Sequence, residues 1–360
     1  MKFFLLVAIL FSQSIFLAFS KDKEAVRLSV AGLAHGHSHW IFNDLGNEAR
    51  LVGIFEPDEA LKNQFKDQYD LEEELFFNSL EELLEKTDAE GVLAFGPIAD
   101  HIEVVKAAAP LGIHVMVEKP LALNIEEARK MADLANKHGI HLLTNYETSW
   151  YPSTRESIKL LRDQQEELGQ IRKAVFHHGH QGPKEIGVGE EFLAWLTDPT
   201  KSGGGALMDF GCYGANIMTV LMNGERPTSV TAITQTFKPE TYEQVEDEAT
   251  IILTYPSSQA IIQASWNWPI SRKDMEIYTQ KSQLIIPGPN QLILQSSSMD
   301  ETIILDNESE NPFSYFAKVI RKEITPAPFS LYSIENNLIV MEILSAARES
   351  AEKGTTIQMK

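Results

Sequence analysis

The sequence predicts an α/β protein of two domains: an N-terminal doubly wound parallel sheet, then an α/β domain with a large, mostly antiparallel open sheet. Three observations carry this. Short apolar runs alternate with amphipathic stretches over residues 26–146, strand-like runs follow one another with no helix between them beyond residue 228, and 360 residues of ordinary composition suffice for two cores.

Each element follows from its local pattern. RLSVAGL, RLVGIFEP, AEGVLAFGP and GIHVMVEKP are separated by helix-like stretches, which is the rhythm of a parallel sheet. The near-continuous apolar runs 92–95 and 115–117 suit strands covered on both faces. Residues 125–138 read as a helix stopped by Gly139, and IHLLTNY as the next strand, so residues 21–146 form the first domain. A helix near 154–168 and the strand IRKAVFHHGH open the second domain, residues 147–332. A long glycine-bearing loop follows, then a helix begins in GGGALMDFGCYGANIMTVLM. TSVTAITQTF, EATIILTY, AIIQASWNW and DMEIYTQ read as consecutive strands, hence an antiparallel sheet. Residues 333–360 carry a helix expected to pack back on the first domain.

Composition narrows the partners. A formal net charge of −20 repels nucleic acid and anionic membrane surfaces, so a neutral small molecule is expected instead. Cys212 is the sole cysteine, which excludes an intrachain disulfide and any thiolate metal cluster. Residues 1–20 carry Lys2 and then an uncharged, mostly apolar run ending in Ala18-Phe19-Ser20, with small residues where signal peptidase needs them. A Sec-type signal peptide is expected, giving a periplasmic or secreted protein free of the membrane after cleavage. An uncleaved anchor is the alternative that the length of the run leaves open. No arginine pair precedes the run and no cysteine follows it to take a lipid.

The turn after the first strand reads VAGLAHGHSHW. Gly32 and Ala34 occupy the first two glycine positions of a G-x-G-x-x-G fingerprint, His37 the third, with His35 and Gly36 between them. A glycine first permits the tight turn, and a small second residue lets backbone amides approach a pyrophosphate at a helix N-terminus. Glu56 ends the second strand 24 positions after Gly32, where a carboxylate accepts both adenine-ribose hydroxyls and repels a 2'-phosphate. NAD is therefore expected in preference to NADP.

HVMVEKPLAL, with GGGALMDFGCYGAN about eighty positions later, resembles the glucose-fructose oxidoreductase, inositol dehydrogenase and MocA family (Gfo/Idh/MocA) over nearly the whole mature chain. The resemblance implies a Rossmann domain, then a second domain whose open sheet makes a homo-oligomer, dimer or tetramer. It places a carbohydrate substrate between that sheet and the nicotinamide. Glu118-Lys119-Pro120 matches the family's E-K-P motif, with Lys119 as the catalytic lysine. Pro97 and His101 lie in the loop that the resemblance puts beside the nicotinamide. Asp209, Tyr213 and Asn216 stand at i, i+4 and i+7, on one helix face. Most relatives carry histidine and aspartate where this chain has Tyr213 and Asn216; the pair here is similar to the glucose-fructose oxidoreductase branch, in which the tyrosine transfers the proton.

The chemistry fits those residue types. An ammonium beside a reacting hydroxyl stabilises alkoxide character, and it would have to lower the phenol, ordinarily near ~10, to make Tyr213 a base near neutrality. His178 and His180 share one strand face, with His177 on the other, and are expected to hydrogen-bond sugar hydroxyls. No third ligand stands at a recognisable spacing, so no metal is expected. Trp195 offers a ring for a sugar face, and Arg172 and Lys184 are further candidates for the pocket. The reading is an exported NAD-dependent oxidoreductase acting on a sugar or polyol carbinol, with its cofactor tightly held. Two alternatives stay open: an NAD-dependent glycosidase or lyase working by transient oxidation, and a non-catalytic exported sugar-binding protein.

Overall fold

A computed structural model describes residues 24–298, 300–306 and 310–359; the expected signal peptide lies outside them. Six parallel strands form the first sheet: β1 (Val26–Ala31), β2 (Ala49–Phe55), β3 (Phe76–Phe77), β4 (Gly91–Ala94), β5 (His114–Glu118) and β6 (Leu142–Asn145). Their order, β3-β2-β1-β4-β5-β6, reverses between β1 and β4, so a crevice opens beyond the carboxyl ends of those two strands. Every residue of β4 is buried, as are Val115–Val117 of β5, as strands between two helical layers must be. The helix Ile125–His138 starts on an Asn124 cap and ends at Gly139, whose φ of 66° few other residues adopt cheaply.

The second sheet has nine strands: β7 (Ile171–Gly179), β8 (Ser229–Gln235), β9 (Glu248–Thr254), β10 (Gln259–Ser265), β11 (Arg272–Thr279), β12 (Ser282–Gly288), β13 (Gln291–Ser296), β14 (Asp300–Ile304) and β15 (Ile357–Gln358). They run in the order β14-β13-β12-β11-β7-β10-β9-β8-β15, and only the β7–β10 pair is parallel. One face takes the helix Ala206–Leu221, whose apolar residues bury almost completely. A Cβ on Gly214 would lie 2.8 Å from Ile262 and 3.1 Å from Phe176, so glycine lets the helix sit this low on the sheet and presses its neighbour Tyr213 toward β7.

Three features depart from the sequence reading. The helix expected over 154–168 is two, Pro152–Asp163 and Gln165–Leu168, and the glycine-bearing loop contains further short helices, Glu190–Leu196 and Pro199–Ser202. The chain also returns to the first domain before residue 333. The helix Pro312–Ile320 packs there, with the Phe313 ring 6.2 Å from that of Phe95 and the Ser314 hydroxyl donating to Glu48 at 2.6 Å. The last helix, Ile334–Lys353, is buried on two sides: it touches the helix Ile125–His138 and also the helix Ala206–Leu221 and β8, after which β15 joins the second sheet. The contact with the first domain is the expected one; the contact with the second is additional, so the helix clamps both. Among the described residues no helix is long and apolar enough to cross a membrane.

Candidate active site

The crevice beyond β1 and β4 is built for close backbone approach. Gly32 has φ +85°, and a Cβ on it would fall 2.6 Å from the backbone of Gly96. A cavity of about 300 Å³ opens here, lined by Gly32, Ala34, Glu56, Gly96, Pro97 and Asp100. Glu56 is held in place by accepting the Leu33 N–H at 2.6 Å and the Asp58 N–H at 2.8 Å, one on each oxygen. Burial pushes its carboxyl up, and those two donors oppose the rise. The cradle, the small second residue and the strand-end acid fit the adenosine half of a nicotinamide dinucleotide.

His35, His37, Glu118 and His101 lie outside that cavity, toward the second domain. Glu118 is fully buried, accepting from Asn145 Nδ2 at 2.5 Å and lying 3.2 Å from His37 Nδ1. Burial would raise its carboxyl, yet His35 and His37 hold it down at about 2. Burial lowers His35 to about 3, whereas on His37 the two acids Glu118 and Glu147 outweigh burial and keep the imidazole above its usual range. Ligand-type atoms of His35, His37 and Glu118 all lie within 4.8 Å of one another, a spacing a metal centre would also show. The hydrogen bonds point elsewhere. The His37 N–H donates to His35 Nδ1 at 3.1 Å, so the neutral ring carries its proton on Nε2, the atom facing Glu118. A metal needs that nitrogen bare, and the backbone donor to Nδ1 opposes this. His101 is buried, pushed down to about 4 by burial, with Nδ1 3.2 Å from the Leu121 carbonyl and Nε2 without a partner.

At the end of β5 the first domain meets the second. The Lys119 ammonium forms a buried ion pair with the Asp209 carboxylate and donates to the Asp209 carbonyl at 2.9 Å, across 90 positions of sequence. Burial alone would lower the lysine, but the charge of Asp209 and the bond to it leave Lys119 above its ordinary value; Asp209 is correspondingly held down against burial by Lys119, His180 and Trp266. Both groups are therefore charged at neutral pH. Trp266, fully buried at the end of β10, donates its indole N–H to the other Asp209 oxygen at 3.0 Å. Tyr213 stands one turn along the helix, its ring centroid 5.1 Å from Lys119 Nζ. Its hydroxyl makes no hydrogen bond among the described residues. Burial, reinforced by Glu147, Cys212 and Asp209, pushes the phenol well above its ordinary value, so it stays protonated here. Burial and these acids outweigh any lowering by Lys119, so the phenol is not the ready base that the sequence reading required.

His178 is buried with its ring 5.4 Å from that of Tyr213, pushed down to about 3 by burial, and its Nδ1 lacks a partner. His180 is lowered by burial too; its ring meets Phe210 edge-on at 4.9 Å and its Nδ1 accepts the Gly182 N–H at 2.9 Å. Both are neutral, and both retain a nitrogen for a ligand.

Three expected pocket residues belong elsewhere. Asn216 donates its amide to the Leu331 carbonyl at 2.8 Å, tying the helix to the C-terminal segment. Trp195 covers the nucleotide loop, its indole N–H donating to the Ala34 carbonyl at 3.4 Å and its ring 6.1 Å from His35. Arg172 sits at the opposite end of β7, exposed and bonded to the Ser257 carbonyl. Conversely, Trp266, Asn145, Glu147 and Lys273 gave no sequence signal beyond strand ends and loops. Lys273 forms an ion pair with Glu147, and its Nζ lies 5.3 Å from the Tyr213 ring centroid.

Comparison with known proteins agrees with this fold. Residues 26–146 match the profile of an oxidoreductase family NAD-binding Rossmann fold, and residues 160–285 that of a GFO/IDH/MocA C-terminal domain. D-xylose 1-dehydrogenase [NADP(+)] of Haloarcula marismortui is 24% identical over 271 residues, 73% of this chain and 72% of that one. Trans-1,2-dihydrobenzene-1,2-diol dehydrogenase of Xenopus tropicalis is 28% identical over 238 residues, 66% of this chain and 65% of that one. Among solved structures, aldose-aldose oxidoreductase from Caulobacter crescentus superposes with a TM-score of 0.79 at 22% identity, covering 93% of this chain and 100% of that one. An inositol dehydrogenase homolog complexed with NAD+ from Azotobacter vinelandii superposes with a TM-score of 0.79 at 17% identity, covering 94% and 98%. These matches, over a parallel six-stranded sheet joined to a mixed nine-stranded one, place the chain in the Gfo/Idh/MocA family, as an NAD(P)-dependent oxidoreductase of the sugar- and polyol-dehydrogenase type.

Proposed function

We propose that this protein is exported, holds NAD tightly, and oxidises or reduces a carbinol carbon of a sugar or polyol through Lys119, Tyr213 and Asp209. The observation that carries the reading is the buried Lys119–Asp209 ion pair joining the two domains against the Tyr213 ring. A bound nicotinamide would supply the hydride acceptor or donor. The protein's own groups do the rest. Lys119, kept charged by Asp209, stabilises negative charge on the substrate oxygen, and Trp266 fixes the carboxylate that fixes the lysine. Tyr213, protonated as it stands, donates its proton in the reductive direction; in the oxidative direction it accepts the carbinol proton only after ionising, the form that rising pH favours. Neutral His178 and His180 bind hydroxyls without adding charge.

The acids around the adenosine cavity support NAD over NADP. Glu56, Asp100 and Glu103 all line it, and each would repel a 2'-phosphate. Glu56→Ser is expected to improve the NADP-to-NAD ratio of kcat/KM by about tenfold or more. An unchanged ratio in steady-state assays would assign the preference to other residues.

Tight retention is supported by the helix Glu190–Leu196, which lays Trp195 and Phe192 over His35. Retention also suits export to a compartment poor in free NAD. The apolar run of residues 1–20 supports export, and the half-exposed residues Val175, Ile261, Ile285 and Ile293, with exposed Ile252, support self-association through the uncovered sheet face. Protein purified without added nucleotide is expected to contain NAD(H) by absorbance and mass, and to convert D-xylose, D-glucose or myo-inositol to a keto product. Empty protein would sink tight retention. Aglycone release from aryl glycosides without net cofactor turnover would redirect the reading to glycoside cleavage.

A further inference from the structure

Taking Tyr213 as the proton-transfer residue, we propose that Lys273 and Glu147 are positioning residues of the same reaction centre. The pair holds a second ammonium against the Tyr213 ring and fastens it, through His37, to the cofactor loop. Lys273 comes from β11, opposite His178 in register, and reaches Glu147 across 126 positions of sequence. Glu147 gathers partners from three directions: it accepts from Lys273 and the Tyr151 hydroxyl, and His37 Nε2 lies 3.7 Å away as an ion-pair contact. His37 also touches Glu118 of the E-K-P motif. Elements of both domains thus converge on one carboxylate nearer the surface than the Lys119 pair: Glu147 is 24% and Lys273 25% exposed while Lys119 is 6% exposed.

An ordinary exposed ion pair contributes little and needs no third and fourth partner. This one lies where charge matters to the phenol. Tyr213 is faced by Glu118 and Lys119 from the end of β5, Tyr146 and Glu147 from beyond β6, His178 from β7, and Lys273 from β11; Asp209 and Cys212 share its helix, and His180 lies close by against Phe210. After burial, Glu147 is the largest influence on the phenol, ahead of Asp209 and Glu118. The balance between Glu147 and Lys273 therefore bears directly on how readily Tyr213 gives up its proton.

The sign follows from charge. Glu147→Gln removes an anion near the phenol and leaves the Lys273 ammonium unpaired, which favours the deprotonated form. Lys273→Met removes the cation and leaves Glu147 bare, which favours the protonated form. In the oxidative direction the rate rises with pH as the phenol ionises. At this range, with an effective dielectric of about 20, its midpoint is expected to fall by about one pH unit in Glu147→Gln and rise by about one in Lys273→Met.

The test uses full-length protein loaded with NAD and whichever of D-xylose, D-glucose or myo-inositol wild type turns over fastest, followed at 340 nm across pH. Opposite shifts, with Lys273→Arg restoring most of the wild-type profile, are expected. Equal profiles in all variants, or shifts of the same sign, overturn the proposal. NADH affinity, read by tryptophan quenching, needs no substrate: Glu147→Gln is expected to weaken it about threefold or more and Lys273→Met less. Equal affinity in the three proteins overturns the tie to the cofactor loop. Wild type that turns over none of the sugars, seen before any variant is compared, counts against the activity itself.

Discussion

Lys119→Met is expected to lower kcat by about 10³-fold or more and to destabilise the fold by about 3–5 kcal/mol. Two terms act together. The variant loses the charge that stabilises the substrate oxygen, and it leaves Asp209 buried with Trp266 as its remaining strong donor. Removing one partner of a buried pair costs far more than the pair contributes, because the other charge stays desolvated. The stability cost depends on pH in a defined sense. In the variant Asp209 has no ammonium to hold it down, so burial raises its folded-state carboxyl above the unfolded value. The penalty is then small in acid, where Asp209 is protonated in both states, and grows as pH rises through the unfolded value near ~4. Urea unfolding at two pH values reads this directly. Adding Asp209→Asn is expected to recover stability without recovering turnover, and recovery of both would refute the role given to the lysine.

Tyr213→Phe is expected to do the reverse: kcat falls by about 10²–10⁴-fold while stability changes by less than about 1 kcal/mol. The ring packs against His178 and Tyr146 in either variant, and the hydroxyl has no hydrogen bond among the described residues to lose. NADH affinity is expected to survive, since the phenol is not part of the nucleotide cradle. A Phe variant with wild-type turnover would transfer proton chemistry to another group.

The contrast between these variants shows what the sequence could and could not disclose. Lys119, Asp209 and Tyr213 were legible through the resemblance of their motifs to the Gfo/Idh/MocA family; the pre-proline strand end and the four-residue repeat of a helix are the local geometry by which the fold then brings them together. The strands of the first domain were legible because their burial on both faces leaves uninterrupted apolar runs. Helical periodicity reports a face and not a depth, however. Asn216 shares the side of Tyr213 but stands a turn further along, about 4–5 Å at 1.5 Å per residue, which takes it out of the pocket and onto Leu331. Trp266, Glu147 and Lys273 were illegible for a different reason. Their partners lie 57 and 126 positions away, and only the folded sheet brings β10 and β11 to the crevice. The protonated state of Tyr213 is also a property of burial in three dimensions, invisible to spacing.

His37 shows a motif departure acquiring a use. A histidine at the third fingerprint position looks like a weakened nucleotide site in sequence. In the fold it bridges Glu118 and Glu147, linking the cofactor loop to the substrate side of the crevice.

The most direct measurement is a crystal structure of the protein with NADH bound. The reactive face of the nicotinamide is expected to open onto a pocket shared by the Lys119 ammonium and the Tyr213 hydroxyl, with the adenosine against Glu56. A nicotinamide seated away from both side chains, or a crevice closed by packed core residues when the nucleotide is present, would contradict the account.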